Sequence, residues 1–456
     1  MIVKAVKPRD LALAALNSPD NYTGFSDRYL EHTFQKNPDI DLRDRAFTTN
    51  MVRGVLRWRL RLDWIIKQFL RFPFGNIEPP ILNILRIAVY QIFFMDRIPE
   101  SAAVNEAAKQ AKAQNRKKVV GFVNGVLRQI CRQKEHIDFP DRENDQSHYM
   151  SVFYSYPEWL VKKWVRELGL DSTEHLLEAG NQIPCLAIRT NTLNTNRADL
   201  IAHLERERIG VLPTLYSPEG IQFEGPSGPV NLINVFRKGL FQVQGEAAQI
   251  CSHILSPRPG DRVLDLCAGL GGKSTHLAEL MEEKGCVVAL DINRARLVSL
   301  KQNSRRLGIS SIQPIVADAG GFLSSLFNCY FDKILVDGPC SGLGIISRHP
   351  DGKWSRDERD IKRLSLLQIK ILNEAAALLR KGGHMLYVTC TISNEENEQV
   401  AFRFLENNKQ MALVNIRDRI PVWGLELIDK NGFFKTFPHI HGMDGFFGAL
   451  FTKKYT

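Results

Sequence analysis

The stretch Val263-Leu-Asp-Leu-Cys-Ala-Gly-Leu-Gly-Gly-Lys-Ser274 decides the fold. An apolar run, Val263 to Leu266, enters a turn holding Gly269, Gly271 and Gly272, and a helical pattern follows. In a doubly wound α/β sheet such a turn lies at the carboxyl end of a strand, where ligands bind. Glycines let the backbone approach a ligand closely, and the first amides of a helix favour an anionic or carboxylate group. Three ligand classes compete. A P-loop needs glycine five positions before the glycine of Gly-Lys-Ser, but that position is Cys267, which argues against a nucleotide triphosphatase. The dinucleotide pattern G-x-G-x-x-G is met only in part, because its third glycine is Ser274. Asp265, just before the loop, offers an acidic strand end to an amino-acid cation, and S-adenosylmethionine carries one.

Downstream, the short apolar runs 262–266, 287–290, 312–316, 333–336 and 384–388 alternate with helical patterns after Gly272, Arg294, Arg363 and Asn394. That alternation predicts a parallel sheet covered on both faces. Acids close successive runs. Asp291 is placed to accept from ribose hydroxyls, as in nicotinamide and methionine cofactors alike, and Asp318 to receive an adenine amine. Either alone is as readily a turn residue; three in succession, with Asp337, are harder to dismiss. Cys340 stands in Asp-Gly-Pro-Cys and Cys390 in Thr-Cys-Thr. A lone cysteine is usually a small buried hydrophobe, but two at neighbouring strand ends would share one crevice with Asp337.

Upstream, residues 150–236 read as a small α+β subdomain, with helices over 157–168 and 197–208, a helix capped by Ser172, and a strand over 184–190. Residues 135–149 are polar and turn-rich, a linker pattern. Residues 1–134 read as all-helical: an apolar face at Leu11, Leu13 and Leu16, helices over 44–70, 81–94 and 119–130, and one capped by Ser101. This segment holds 23 Lys+Arg against 12 Asp+Glu, while the remainder of the 456 residues is within one charge of neutral. The excess suggests a polyanion-binding module, with a merely solvated basic surface as the bland alternative. Arg53, Arg57 and Arg61 form one helical stripe; Lys109, Lys112, Arg116, Lys117 and Lys118 form a second cluster. Both suit RNA phosphates, although for any single arginine of the stripe, covering a core edge is the commoner role.

Composition sets outer limits. With 44% hydrophobic and 24% charged residues the chain is a folded protein of two to four domains rather than a disordered one. No apolar run is long enough for a transmembrane helix, and the N-terminus lacks a signal-peptide core. None of the eight cysteines forms a C-x-x-C pair, so neither a zinc site nor a disulfide framework is expected. A reducing cytoplasm is the simpler setting, and nothing demands more than a monomer.

Taken together, the motifs resemble the RNA cytosine carbon-5 methyltransferases of the RsmB (Sun/Fmu) family. C-A-G-L-G-G-K-S is similar to that family's glycine loop. D-G-P-C-S-G-L-G, with Arg348-His349-Pro350-Asp351 and Lys353-Trp354 after it, resembles its fourth motif. Y-V-T-C-T followed by Asn394-Glu395-Glu396-Asn397-Glu398 resembles its sixth, and D-G-F-F-G-A its closing strand. The segments G-V-L-R-W-R, L-R-I-A-V-Y-Q, A-V-N-E-A and G-F-V-N-G-V-L-R are similar to the NusB-like domain of such enzymes. The resemblance covers nearly the whole chain. It implies an all-α NusB-like RNA-binding domain (1–134), a linker (135–149), a small α+β subdomain (150–236) and an α/β Rossmann-like S-adenosylmethionine-dependent methyltransferase domain (237–456).

The resemblance also assigns roles. Cys390 becomes the nucleophile that adds to carbon 6 of cytosine, and Cys340 the residue that assists release. Asp337 holds the cytosine edge and, if protonated, favours charge uptake at the ring nitrogen. Lys273 orients the loop or cofactor. Cys267, Ala268, Gly269, Leu270, Gly271, Gly272 and Lys273, with Asp291, Asp318 and Asp337, would hold S-adenosylmethionine. The implied partner is small-subunit ribosomal RNA, with no membrane and no metal. Gly269-Leu270 replace a usual Ala-Pro, Gly245 a common Asp, and Gly338 a common Ala. The competing readings are a methyltransferase of another RNA, a non-catalytic RNA-binding assembly factor and a nicotinamide enzyme. Intact Asp337, Cys340 and Cys390 argue against the second, and Thr-Cys-Thr with the absent third glycine against the last.

Overall fold

The computed structural model describes residues 7–18, 26–113, 117–224 and 229–455. They fall into two compact units, Met1–Gln182 with Ile346–Ser355, and Ile183–Ile345 with Arg356–Thr456.

The first unit is helical: α1 (Pro8–Asn17), α2 (Ser26–Lys36), α3 (Leu42–Gln68), α4 (Pro79–Phe94), α5 (Glu100–Ala113), α6 (Lys117–Arg132), α7 (Gln146–Tyr154), α8 (Glu158–Leu168) and α9 (Leu170–Asn181). Prolines occupy the first turns of α1 and α4, where no amide is missed. Asp41 caps α3 by accepting from the Asp44 amide. Met51, Val55 and Ile66 of α3 meet Ile84, Leu85 and Val89 of α4 in one core. The two helices approach so closely that a methyl group on Gly54 would sit 2.0 Å from the Tyr90 ring. The buried pair Arg86–Asp63 is bidentate, both bonds 2.7 Å.

Three expectations need correction here. Ser101 and Ser172 are not caps. α5 begins one residue earlier, its first amides bonded to the Pro99 carbonyl, and α9 begins at Leu170, with Thr173 bonded back to Gly169. The arginine stripe is not an open phosphate surface: Arg57 is 5% exposed and donates to the Ser347 carbonyl. Arg61 lies over the Phe139 and Phe153 rings at 4.9 and 4.4 Å. These stems take the core-edge role. Arg116 of the second cluster lies outside the described residues.

Residues 346–355 are inlaid in this helical unit. Lys353, 1% exposed, donates to the carbonyls of Arg57 and Ser155 and to Asn181 Oδ1 at 2.7 Å, and stands 3.5 Å over the Tyr156 ring. Trp354 donates to the Leu56 carbonyl at 2.6 Å.

The second unit opens with an antiparallel sheet ordered β2-β3-β1-β4: β1 (Ala187–Thr190), β2 (Val211–Pro213), β3 (Gly220–Phe223) and β4 (Phe241–Val243). Helix α10 (Arg197–Arg206) packs Leu200 and Leu204 against Ile188, Ile221 and Phe223. Then come α11 (Glu246–Leu255), β5 (Arg262–Leu266), α12 (Gly272–Leu280), β6 (Cys286–Asp291), α13 (Arg294–Leu307), β7 (Ile312–Val316) and β8 (Phe331–Asp337). They are followed by α14 (Glu358–Leu378), β9 (Leu379–Thr389), α15 (Glu398–Asn407), β10 (Met411–Val414), β11 (Phe434–Lys435) and β12 (Phe447–Lys453). The sheet order is β7-β6-β5-β8-β9-β12-β10, with β11 beside β12. β5 to β9 pair in parallel and β12 is antiparallel. The chain steps to β6 on one side of β5 and to β8 on the other, so the switch point lies at the carboxyl ends of β5 and β8.

Candidate active site

The glycine loop is built on left-handed backbone. Cys267, Gly269 and Gly271 have φ of +65°, +57° and +83°. Gly271 also precedes α12 as its cap, and a methyl there would meet Leu300 Cγ at 2.5 Å. Beneath the loop lies Arg189, fully buried on β1. It donates to Gly272 O (2.8 Å), Thr275 Oγ1 (3.1 Å), Gln244 Oε1, and both carboxylate oxygens of Glu279 (2.7 and 3.1 Å). One guanidinium from the small sheet thus pins the first turn of α12.

The strand-end acids divide. Asp265 is 1% exposed; Oδ2 accepts from Ser274 and Oδ1 has no partner. Burial pushes its carboxyl up to about 7, against the Ser274 bond and with Asp337 nearby. This corrects the expectation that it faces a ligand cation, since it is shut under the loop. Asp291 accepts from the Gly269 amide at 2.9 Å and the Asn293 amide at 2.7 Å, so it shapes the loop as well as ending β6. Asp318 is exposed and accepts from the Gly320 amide. Asp337 accepts from Lys273 Nζ at 2.7 Å. Burial opposes the Lys273 charge, but Asp337 and the neighbouring thiols outweigh it and hold the ammonium above the usual lysine range.

The two cysteines meet. β8 and β9 are parallel neighbours, with Asp337 opposite Val388, and Cys340 Sγ lies 3.1 Å from Cys390 Sγ. The Cys340 thiol is held well above its ordinary range, first by its hydrogen bond to Cys390, then by burial, then by Cys390 charge and Glu396. Cys340 therefore keeps its proton beside Cys390.

Sequence reading saw Glu396 only as a motif letter. Fully buried, it accepts from the Ser341 amide (2.8 Å), the Ser341 hydroxyl and Gln368 Nε2 (3.1 Å), while Ser341 Oγ also meets Thr391 Oγ1 at 2.8 Å. It bolts the residue after Cys340 to the residue after Cys390. The Gly344 amide donates to the Cys390 carbonyl at 3.0 Å, and the Gly445 amide to the Gly344 carbonyl at 2.8 Å. A methyl on Gly344 would fall 1.9 Å from the Gly445 carbonyl oxygen and 2.9 Å from that of Cys390. Gly344→Ala is therefore expected to cost about 2–3 kcal/mol or more and to displace Cys390; a lowered melting temperature together with a lower methylation rate checks it. The Gly338 departure is benign, since an added methyl would meet Gln368 and Tyr387 at 3.4 Å, ordinary contact.

A doubly wound sheet with a glycine loop and a thiol pair at its switch point, an antiparallel sheet before it and a helical unit define the class. This is a Rossmann-like methyltransferase with ferredoxin-like and NusB-type domains, whose family descriptions match 252–452, 156–231 and 6–132. The first of these reads "16S rRNA methyltransferase RsmB/F". The chain is 32% identical to the probable ribosomal RNA small subunit methyltransferase B of Bacillus subtilis, over 99% of this chain and 100% of that one. It is 33% identical to ribosomal RNA small subunit methyltransferase B of Proteus mirabilis, over 92% of each. A solved structure, that of PH0851, superposes with a TM-score of 0.81 at 28% identity, covering 99% of this chain and 100% of that one. A methyltransferase homologue from Pyrococcus horikoshii gives 0.59 at 26% identity, covering 68% and 99%. The chain belongs to the RsmB/F family.

Proposed function

We propose that the protein transfers a methyl group from S-adenosylmethionine to carbon 5 of a cytosine in small-subunit ribosomal RNA, through a covalent bond between Cys390 and carbon 6. The observation that carries this reading is the Cys340–Cys390 pair at 3.1 Å, beside the Lys273–Asp337 pair at the same sheet edge. Carbon 5 of cytosine is a poor nucleophile, and thiolate addition at carbon 6 makes it enamine-like. That addition requires a thiolate, and Cys390 has the second thiol, Cys340, within hydrogen-bond reach. Asp337 would hold the cytosine edge, with Lys273 orienting it.

The donor set fits the cofactor. The left-handed turn Cys267–Gly272, Lys273 and the acids Asp291, Asp318 and Asp337 end consecutive strands along one edge. When bound, S-adenosylmethionine supplies an electrophilic methyl group. A structural neighbour described as NSun6 from Pyrococcus horikoshii was solved with SFG. The relatives' names supply the RNA class, and the pocket needs an unstacked base, which favours a loop or single strand. The basic excess of residues 1–134 supports RNA holding by the helical domain. The reading places the protein in the cytoplasm as a monomer; among the described residues no helix is long and apolar enough to cross a membrane.

Bisulfite mapping of small-subunit RNA from cells with and without the gene tests the reading. One cytosine is expected to lose its protection when the gene is absent; an unchanged map overturns the substrate assignment.

A further inference from the structure

Away from the thiol pocket, one cluster takes no part in the reaction above. Glu219 immediately precedes β3, His253 is on α11 and His276 on α12, all within the second unit. One ligand-capable atom from each lies within 4.8 Å of the others. His253 Nε2 is 2.8 Å from Glu219 Oε2, and the two imidazole rings stand at 83° with centroids 5.1 Å apart.

A second observation concerns His276 alone. It is 1% exposed, yet neither ring nitrogen has a hydrogen-bond partner. Folded proteins seldom leave buried polar atoms unpaired, and each instance calls for an explanation. An unpaired ring nitrogen therefore stands beside a second imidazole and a carboxylate. Two imidazoles with one carboxylate are the donor set of zinc and its neighbours. The adjacent cation, Arg189, does not oppose this with its full charge, because Glu279 binds it through both oxygens.

We propose that Glu219, His253 and His276 form a three-ligand site for a divalent transition-metal ion of the zinc class. On binding, His253 exchanges its Glu219 hydrogen bond for the metal, its ring proton residing on Nδ1. Glu219 and His253 are partly exposed, so the remaining coordination position opens to solvent. Glu219 lies in the turn that enters β3 of the small antiparallel sheet, and the histidines lie on helices beside the larger sheet, so the ion would staple these two parts of the unit. The spacings, 34 and 23 residues, lie outside any short-motif search.

The test uses the chelator-stripped full chain with Zn²⁺ or Co²⁺. One ion per chain is expected, with X-ray absorption giving a nitrogen and oxygen shell, and a melting temperature raised by stoichiometric Zn²⁺. His276→Phe and His253→Gln should each weaken uptake by about 100-fold and abolish the thermal shift. The glutamine keeps a donor for Glu219, so folding survives in at least one of them. The competing site is the thiol pair, so Cys390→Ala should bind the ion as the parent does. A shell containing sulfur, uptake lost in Cys390→Ala, or equal uptake in His253→Gln would overturn the site. Because the readouts are binding and melting, failure here leaves the methylation reading untouched.

Discussion

Cys340→Ala is expected to turn the protein into a trap for its own RNA, a covalent adduct surviving denaturing electrophoresis, whereas Cys390→Ala should form none and lose turnover by at least about 10⁴-fold. The difference follows from how the pair shares its proton. The largest influence holding the Cys340 proton in place is the hydrogen bond to Cys390, and Cys390 charge adds to it. Once Cys390 Sγ is bonded to carbon 6 it carries neither charge nor a lone pair of thiolate strength. Both influences then disappear, so once the intermediate exists Cys340 can release its proton to solvent and act as a thiolate base. It can take the carbon-5 proton after methyl transfer, and elimination of Cys390 follows. Without Cys340 the adduct forms but its resolution stalls. Normal turnover by Cys340→Ala, or an adduct in Cys390→Ala, would refute these roles. Cys340→Ser separates proton transfer from space filling, because a hydroxyl is a much poorer acid at this position and should also accumulate adduct.

What could be read before folding was whatever rests on short-range pattern. The strand cores, the glycine loop and the thiols at neighbouring strand ends follow from apolar runs and turn residues, and the structure pairs β8 with β9 as that argument required. Strand ends were read short, because polar residues such as Lys381-Gly-Gly383 break the apolar run while still belonging to β9. Helix α14 was read late: its start is set by Asp357, which caps reciprocally with Asp360 ahead of the apolar face. The deeper misses are pairings between distant residues. Nothing local marks Lys353 as the plug that seats residues 346–355 in the helical unit. Glu396 could have been suspected, since an acid inside Thr-Cys-Thr-Ile-Ser-Asn-Glu-Glu must go somewhere, but its partner Ser341 is 55 residues away. Asp265 looked like a ligand only because a strand-end acid is usually open, and here the loop folds over it.

Arg189→Met should be the most destabilising single change in the second unit, by about 3–5 kcal/mol at neutral pH. The guanidinium is fully buried, and its loss leaves Glu279, itself almost fully buried, without the cation it is hydrogen-bonded to. Burial already raises the Glu279 carboxyl while Arg189 pulls it down; without the arginine only the weaker pull of Arg306 opposes the burial, and the folded variant takes up a proton. The unfolded chain releases that proton above about pH 4.3. Since the folded state then binds more protons than the unfolded one, the variant loses stability relative to the parent as pH rises from there. Melting curves of parent and variant should therefore converge toward pH 4 and diverge by about 6–20 °C near pH 7. Glu279→Gln in the same background should recover much of the loss at pH 7, because it removes the stranded charge. It should not recover cofactor affinity, because the bond from Arg189 to the Gly272 carbonyl is still missing. Calorimetry with S-adenosylhomocysteine separates the two effects: stability restored with binding still weak places Arg189 as the positioner of the loop. Recovery of both would reduce it to a counter-ion for Glu279.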